Sequence, residues 1–445
     1  MSLFGTSGIR GVVGTAVTPQ LAFRLGACVV NGKGARVVVG RDTRTSGRML
    51  ENALVSGILS AGGNALRAGV ASTPATSLAA KTHGDCGVMI TASHNPPEYN
   101  GFKLFGKGGG EAGKAEEERI EREICSAKAP KPVSWDAVGR DEKLFSAARE
   151  HVDLALSLVD VRLIRRKAPK VLVDCGNGAA CAEMPFALRE AGCKVFAVNA
   201  EQSGLFARGL EPSAENLAET SEMARALGAD LSIAHDGDAD RAVVLDEKGG
   251  LLGLDAQLAL MVKEELARKK GAIVSTIEAG LLVRRAAEKS GGKLAATKVG
   301  SVHVAREMAR LGAEFGGEPC GEYVFRGGAP VPDGIVAGLK FVECFCRHGS
   351  LREAAARLGK SHVRRAKYPA KDKAAAMKRI APEIRRAFKG KIFAEDGIRV
   401  DFPGGWVLAR ASGTEPLVRI TAEAESSEKL EAVFSKAEAA VKKAL

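Results

Sequence analysis

The sequence contains no run of about 18 apolar residues, the length that a membrane-crossing helix needs, so no membrane span is expected. Its first ten residues, Met1-Ser-Leu-Phe-Gly-Thr-Ser-Gly-Ile-Arg10, lack the basic start and apolar stretch of a secretory signal. A cytoplasmic location is the expectation. The nine cysteines include no Cys-x-x-Cys pair, which argues against a zinc site or a disulfide framework and for reduced, mostly buried thiols. Aromatic residues are scarce where positive charge is densest. Residues 364–391 hold eleven Lys/Arg against two acidic residues, yet only Tyr368 and Phe388 are aromatic there. Few bases could stack on such a segment, so it reads as a solvated helical surface and nucleic acid is not expected. The net charge of +12 instead suits an anionic small substrate.

What is present is a long soluble chain of 445 residues, enough for three or four domains. A strand–helix–strand–helix–strand pattern occurs three times. The first copy has strands over Arg36–Gly40, Asn64–Val70 and Gly87–Ile90, with helices over Gly47–Ala61 and Thr76–Thr82. The second has strands over Lys170–Asp174, Cys193–Asn199 and Asp230–Ala234, with helices over Ala179–Ala191 and Leu217–Leu227. The third has strands over Ala272–Ser275, Lys293–Thr297 and Ala313–Phe315, with helices over Leu281–Lys289 and Val302–Arg310. Apolar, β-branched strands alternating with helices predict largely parallel sheets covered on both faces. Beyond about Leu358 the pattern changes. A basic helix over Ala374–Lys389, strands over Gly397–Asp401, Gly405–Ala409 and Leu417–Thr421, and a capped helix over Ser427–Leu445 predict a smaller α+β domain. The expected division is 1–150, 151–252, 253–362 and 363–445.

Ligands in such sheets bind beyond the carboxyl ends of strands. The loops after the third strand of each copy are therefore comparable. They read Thr91-Ala-Ser-His-Asn-Pro96, His235-Asp-Gly-Asp-Ala-Asp-Arg241 and Gly316-Gly-Glu-Pro-Cys-Gly-Glu322. In the first, Asn95, Pro96 and Pro97 stiffen a turn that presents the Ser93 hydroxyl. In the second, Asp236, Asp238 and Asp240 alternate, so their carboxylates converge and call for a hard cation, Mg²⁺ or Ca²⁺. An EF-hand is excluded because Arg241 stands where that loop needs Gly and the flanks read as strands. Gly108–Lys114 has the spacing of a phosphate-binding P-loop, but Ala115 offers no hydroxyl and no buried strand directly precedes it, so the match reads as chance. In Arg410-Ala-Ser-Gly-Thr-Glu-Pro-Leu-Val-Arg419, backbone N–H groups, two hydroxyls and two flanking arginines make a phosphate cradle.

Together with Phe4-Gly-Thr-Ser-Gly-Ile-Arg-Gly11, Val39-Gly-Arg-Asp-Thr-Arg44 and Gly317-Glu-Pro-Cys-Gly321, these loops resemble the α-D-phosphohexomutase superfamily over essentially the whole chain and in the same order. The likeness is greatest to the archaeal-type phosphoglucosamine mutase and phosphomannomutase/phosphoglucomutase group. It implies three similar mixed or parallel α/β domains and a C-terminal α+β domain around a central cleft. It also implies transfer of phosphate between O6 and O1 of a hexose through a phosphoserine at Ser93 and a hexose 1,6-bisphosphate intermediate. By the same resemblance, Asp236, Asp238 and Asp240 with the Ser93 phosphate hold Mg²⁺, Arg10 and Lys103 stand near the phosphoserine as catalytic residues, and either Lys103 or His94 assists proton transfer to the sugar hydroxyl. Arg241, Thr297, Gly300, Glu318, Cys320 and Glu322 face the sugar. Arg410, Ser412, Gly413, Thr414 and Arg419 grip the phosphate that is not reacting. A hexose phosphate is the expected substrate and a monomer or homodimer the expected assembly. Where many relatives end the sugar loop Ser-Gly-His, this chain has Cys320-Gly-Glu322. A carboxylate there would attract the C2 ammonium of an amino sugar.

Overall fold

A computed structural model describes residues 3–5, 8–126, 131–412 and 416–445. The chain divides into two compact units, Met1–Leu252 with Cys320–Arg352, and Gly253–Pro319 with Glu353–Leu445. The first unit holds a six-stranded sheet in the spatial order Ile9–Val12, Tyr99–Phe105, Cys86–Ile90, Arg36–Arg41, Asn64–Val70, Asp141–Lys143. Cys86–Ile90 and Asn64–Val70 run parallel to Arg36–Arg41, whereas Tyr99–Phe105 and Ile9–Val12 are added antiparallel. Side chains alternate across a strand, so Val37 and Val39 enter one core with Leu25, Leu54 and Ile58, while Val38 enters another with Ala79, Ala80 and Met89. Both faces are covered, which is why the strand reads as an unbroken apolar run. The second sheet orders Ala242–Leu245, Leu231–His235, Lys170–Asp174 and Lys194–Val198, only the first being antiparallel.

In the second unit, Lys293–Thr297, Ala272–Thr276 and Phe315–Glu318 form parallel pairs. A five-stranded antiparallel sheet orders His362–Pro369, Leu417–Ala424, Gly405–Ala411, Ile398–Phe402 and Lys391–Phe393. Its Val407 and Ala409 pack with the helices Lys373–Ala387 and Ser427–Ala444. Trp406 and Leu408, on the opposite face, pack against Ile277 and Leu281. The Ser426 side chain caps the last helix by accepting from Lys429 N–H, as its sequence predicts.

The structure departs from the sequence pattern in a few places. The helix expected over Thr76–Thr82 spans Thr73–His83, because Ser72 caps it and Pro74 suits its first turn. The helix expected over Ala179–Ala191 splits at Glu183 into a 3₁₀ turn, Ala179–Ala182, and a helix, Met184–Ala191. The strand expected over Ala313–Phe315 lies at Phe315–Glu318. Its glycines disguise it, yet Gly316 is required: a Cβ there would meet Met308 Sδ and Val304 Cγ1 at 2.6 Å. No helix among the described residues is long and apolar enough to cross a membrane.

A buried ion cluster joins three segments of the first unit. His151 Nδ1 lies 2.5 Å from Glu183 Oε2 and its Nε2 lies 2.9 Å from Asp333 Oδ2. Glu183 also accepts from the Ser72 N–H and hydroxyl, and Asp333 caps the helix Gly334–His348. Burial alone would lower the His151 pKa, but the two carboxylates override it and raise it to about 10. The folded value exceeds the ordinary one of about 6.5, so this stabilisation is complete below that pH and disappears as pH rises through about 10. His151→Gln should cost roughly 3–5 kcal/mol at pH 6, since two buried carboxylates lose their partner. Urea unfolding of both proteins from pH 6 to 10 checks this. The gap between them should narrow with pH, and a gap independent of pH would contradict a charged imidazole.

Candidate active site

Ser93 follows the strand Cys86–Ile90, at the end of the sheet that the sequence pattern selects. It is buried and has a positive φ of 51°, a conformation that costs a non-glycine residue roughly 1–3 kcal/mol and is found mostly at functional sites. Its N–H donates to Thr91 Oγ1 at 2.8 Å, and its hydroxyl donates to Asp236 Oδ2 at 2.7 Å. His94 Nδ1 lies 3.4 Å from the same hydroxyl, and Arg10 Nη1 donates to Asn95 Oδ1 at 3.2 Å. The serine loop and the aspartate loop are in close contact: a Cβ on Gly237 would come within 2.4 Å of the Ser93 carbonyl oxygen. Only glycine fits between Asp236 and Asp238.

Asp236, Asp238 and Asp240 each offer a carboxylate oxygen within 4.8 Å of the others, all three buried. The strands Leu231–His235 and Ala242–Leu245 flank them, in agreement with the exclusion of an EF-hand. Lys103 Nζ donates to Asp238 Oδ2 at 2.7 Å and to Asp240 Oδ2 at 2.6 Å. Thr73, which the sequence analysis did not single out, donates its hydroxyl to Asp238 Oδ2 at 2.5 Å. Burial favours a neutral Asp238, but the charge and hydrogen bond of Lys103 outweigh it and hold the carboxyl well below the usual range. Burial, with Asp240 and Asp238 nearby, pushes Asp236 well above that range. Asp238 Oδ1 and Asp240 Oδ1 are buried without a hydrogen-bond partner among the described residues. Bare carboxylate oxygens at this spacing fit a hard divalent cation, whose charge would relieve their mutual repulsion.

Arg241 leaves the aspartate loop toward two carboxylates. Its Nη2 lies 3.0 Å from Glu322 Oε1 and its Nη1 2.8 Å from Glu211 Oε2. Burial pushes the Glu322 carboxyl up against the pull of Arg241. Glu211, also absent from the sequence-level candidates, lies 3.6 Å from His94 Nδ1 as well. Gly321, between Cys320 and Glu322, accepts the Ala242 N–H at 3.0 Å. Arg10, Ser93, His94, Lys103, the three aspartates, Arg241, Cys320 and Glu322 thus all belong to the first unit.

In the second unit, Thr297 ends its strand and Gly300 N–H donates to Glu318 Oε2 at 3.2 Å. Gly300 has a φ of 126°, which suits glycine at the start of the helix Ser301–Leu311. Arg410 and Arg419 are paired across neighbouring antiparallel strands and so share one face of the sheet. Arg410 Nη2 donates to Glu278 Oε1 at 3.0 Å, and Lys373 Nζ donates to the Ser412 carbonyl at 2.6 Å. Gly413 and Thr414 lie outside the described residues.

Comparison with known proteins matches the whole length. Residues 1–131, 149–250 and 254–361 match phosphoglucomutase/phosphomannomutase alpha/beta/alpha domains I, II and III, and residues 364–440 match the C-terminal domain of the same proteins. The chain belongs to the phosphoglucomutase/phosphomannomutase family. A protein of Methanocella arvoryzae described as "Probable phosphoglucosamine mutase" is 41% identical, covering 100% of this chain and 99% of that one. One of Thermococcus gammatolerans with the same description is 41% identical, covering 99% and 98%. A crystal structure of a phosphoglucomutase/phosphomannomutase family protein from Burkholderia thailandensis matches with a TM-score of 0.87 at 26% identity, covering 100% of this chain and 97% of that one. Within this family the chain is an intramolecular phosphotransferase of four-part α/β architecture, and the acidic triad is a group of carboxylates that could hold a metal ion.

Proposed function

We propose that the chain is a phosphoglucosamine mutase that interconverts glucosamine 6-phosphate and glucosamine 1-phosphate through a phosphoserine at Ser93. The observation that carries this reading is the Ser93 hydroxyl held 2.7 Å from Asp236 within the convergent aspartates. A full-length likeness to the Methanocella arvoryzae and Thermococcus gammatolerans proteins, each described as "Probable phosphoglucosamine mutase", supports the choice of sugar. The four parts take the roles of phosphoserine loop (1–150), metal loop (151–252), sugar contacts (253–362) and distal phosphate grip (363–445).

In the first half-reaction the P–Oγ bond of phosphoserine breaks as a sugar hydroxyl oxygen bonds to phosphorus. The hydroxyl proton ends on Ser93 Oγ, where Asp236 accepts its hydrogen bond and His94 lies within relay distance. The second half-reaction reverses these bonds at the other end of the turned-around hexose 1,6-bisphosphate. Asp236, Asp238 and Asp240 with the Ser93 phosphate would hold Mg²⁺, which when bound offsets charge on the transferring phosphoryl group. Lys103 holds Asp238 and Asp240 in place and adds a fixed positive charge. Arg241, Thr297, Gly300, Glu318, Cys320 and Glu322 are assigned to the sugar. Arg410, Ser412, Gly413, Thr414 and Arg419 are assigned to the distal phosphate, where binding energy positions the reacting end.

A coupled assay over glucosamine, glucose and mannose 6-phosphates, with a trace of bisphosphate activator, tests the reading. The highest kcat/KM should belong to glucosamine 6-phosphate. A preference for mannose or glucose would instead make the chain a phosphomannomutase/phosphoglucomutase. The same assay tests Glu322. Arg241 faces both Glu211 and Glu322, so one guanidinium serves two carboxylates and leaves negative charge for an ammonium. Glu322→Gln should cut the glucosamine-to-glucose ratio of kcat/KM roughly tenfold, the equivalent of about 1.4 kcal/mol. An unchanged ratio would rule out charge recognition by Glu322.

A further inference from the structure

The loop after the strand Arg36–Arg41 is built into the turn that carries Ser93. Arg44 is buried there, and all five of its guanidinium N–H donors are engaged. Nε donates to Asp42 Oδ2 at 3.0 Å, Nη1 to the carbonyls of Pro96 at 2.6 Å and Tyr99 at 3.0 Å, and Nη2 to those of Ser93 at 2.8 Å and Asn95 at 2.7 Å. Asp42 Oδ2 also accepts the Thr91 hydroxyl at 2.7 Å, and Thr91 Oγ1 accepts the Ser93 N–H at 2.8 Å. Both backbone groups of Ser93, the N–H through Thr91 and the carbonyl directly, are therefore tied to one Asp42–Arg44 pair. That pair flanks Thr43, whose hydroxyl donates to the Asn177 carbonyl at 2.5 Å, and Ala179 N–H two residues on donates to the Gly237 carbonyl at 2.9 Å. The same short loop thus holds the serine turn and reaches the segment packed on the aspartate loop.

A turn of ordinary geometry would not need such a clamp. Ser93 has a φ of 51°, which an unrestrained serine populates rarely, and releasing it would swing Oγ away from Asp236. We propose that Arg44, through Asp42 and Thr91, is a positioning residue for phosphoryl transfer that holds Ser93 in its left-handed conformation so that Oγ keeps one aim through both half-reactions. This rests on the phosphoserine reading of the site. The planar fork is essential to the role. Lysine would keep the charge but has three donors radiating from one atom, and it cannot span four carbonyls and a carboxylate.

Full-length wild type, Arg44→Lys and Thr91→Val are compared well below their melting temperatures, with kcat and KM referred to folded protein and Ser93 phosphate followed by intact mass. A brace that only supports the fold would lower the melting temperature and leave kcat of the folded molecules unchanged. The clamp predicts that Arg44→Lys lowers kcat roughly 100-fold with KM changed less than about threefold, and that its phosphoserine decays to water faster than in wild type. Thr91→Val, which keeps the side-chain shape but breaks the relay to Asp42, should lose roughly tenfold in kcat. Folded Arg44→Lys with kcat within about threefold of wild type overturns the proposal, and if that variant does not fold, Thr91→Val decides by the same limit. A wild type that neither carries phosphate on Ser93 nor turns over would overturn the mutase reading along with the clamp.

Discussion

Ser93→Ala should reduce mutase turnover by roughly 10³-fold or more while the protein melts close to wild type. The hydroxyl is the atom that would carry phosphate, and the two threonine hydroxyls described nearby are already engaged: Thr91 Oγ1 with Asp42 and the Ser93 N–H, and Thr73 Oγ1 with Asp238. Stability should change little because the loop is held through backbone groups, by Arg44 on the carbonyls of Ser93, Asn95, Pro96 and Tyr99. Steady-state kinetics with saturating sugar bisphosphate, alongside thermal melting, checks both halves. The bisphosphate matters, since an unphosphorylated but intact enzyme would otherwise mimic the loss. Residual turnover above about 10% would move the phosphate carrier to another residue.

Asp238→Asn should lower kcat roughly 10²–10⁴-fold, and chelation of divalent ions should abolish wild-type turnover until Mg²⁺ is restored. Lys103 on one oxygen holds Asp238 ionised despite its burial, and the other oxygen has no hydrogen-bond partner among the described residues. An amide keeps the shape but removes the charge, and it leaves Lys103 paired only with Asp240. Calorimetric titration of Mg²⁺ into apo wild type and variant separates metal loss from misplacement. Weaker binding in the variant supports a role as ligand. Equal Mg²⁺ affinity with equal turnover would contradict the assignment.

The serine loop and the aspartate triplet were legible because each is contiguous and follows an apolar strand. Strand spacing alone indicated that they are equivalent strand ends. What escaped is what tertiary pairing assembles. Lys103 meets Asp238 across 135 residues and Thr73 meets it across 165, and no local pattern marks either contact. Glu211 lies in an irregular stretch with no periodicity, and only the fold brings it to Arg241. Arg44 stood in a motif visible in the sequence, but four of its five donors go to backbone carbonyls, which no side-chain pattern records. The antiparallel strand Ile9–Val12 was missed for a related reason, since its partner Tyr99–Phe105 is distant in sequence; Tyr99–Phe105 itself pairs with Cys86–Ile90 across the serine turn, which was read for its hydroxyl rather than as the bend of a hairpin. Phe315–Glu318 was read too early because its two glycines look like a loop, although Gly316 is there to let the Val304 and Met308 side chains approach the strand.

The central claim is that phosphate moves between Ser93 and the sugar. A single-turnover experiment tests it most directly. Enzyme phosphorylated on Ser93 is mixed with an equal amount of glucosamine 6-phosphate in the presence of Mg²⁺, and protein mass and sugar phosphates are followed together. The expected result is loss of one phosphate from the Ser93 peptide matched by the appearance of glucosamine 1,6-bisphosphate and then glucosamine 1-phosphate, with the phosphate back on Ser93. Release of inorganic phosphate alone, or mutase turnover with Ser93 never phosphorylated, would contradict it.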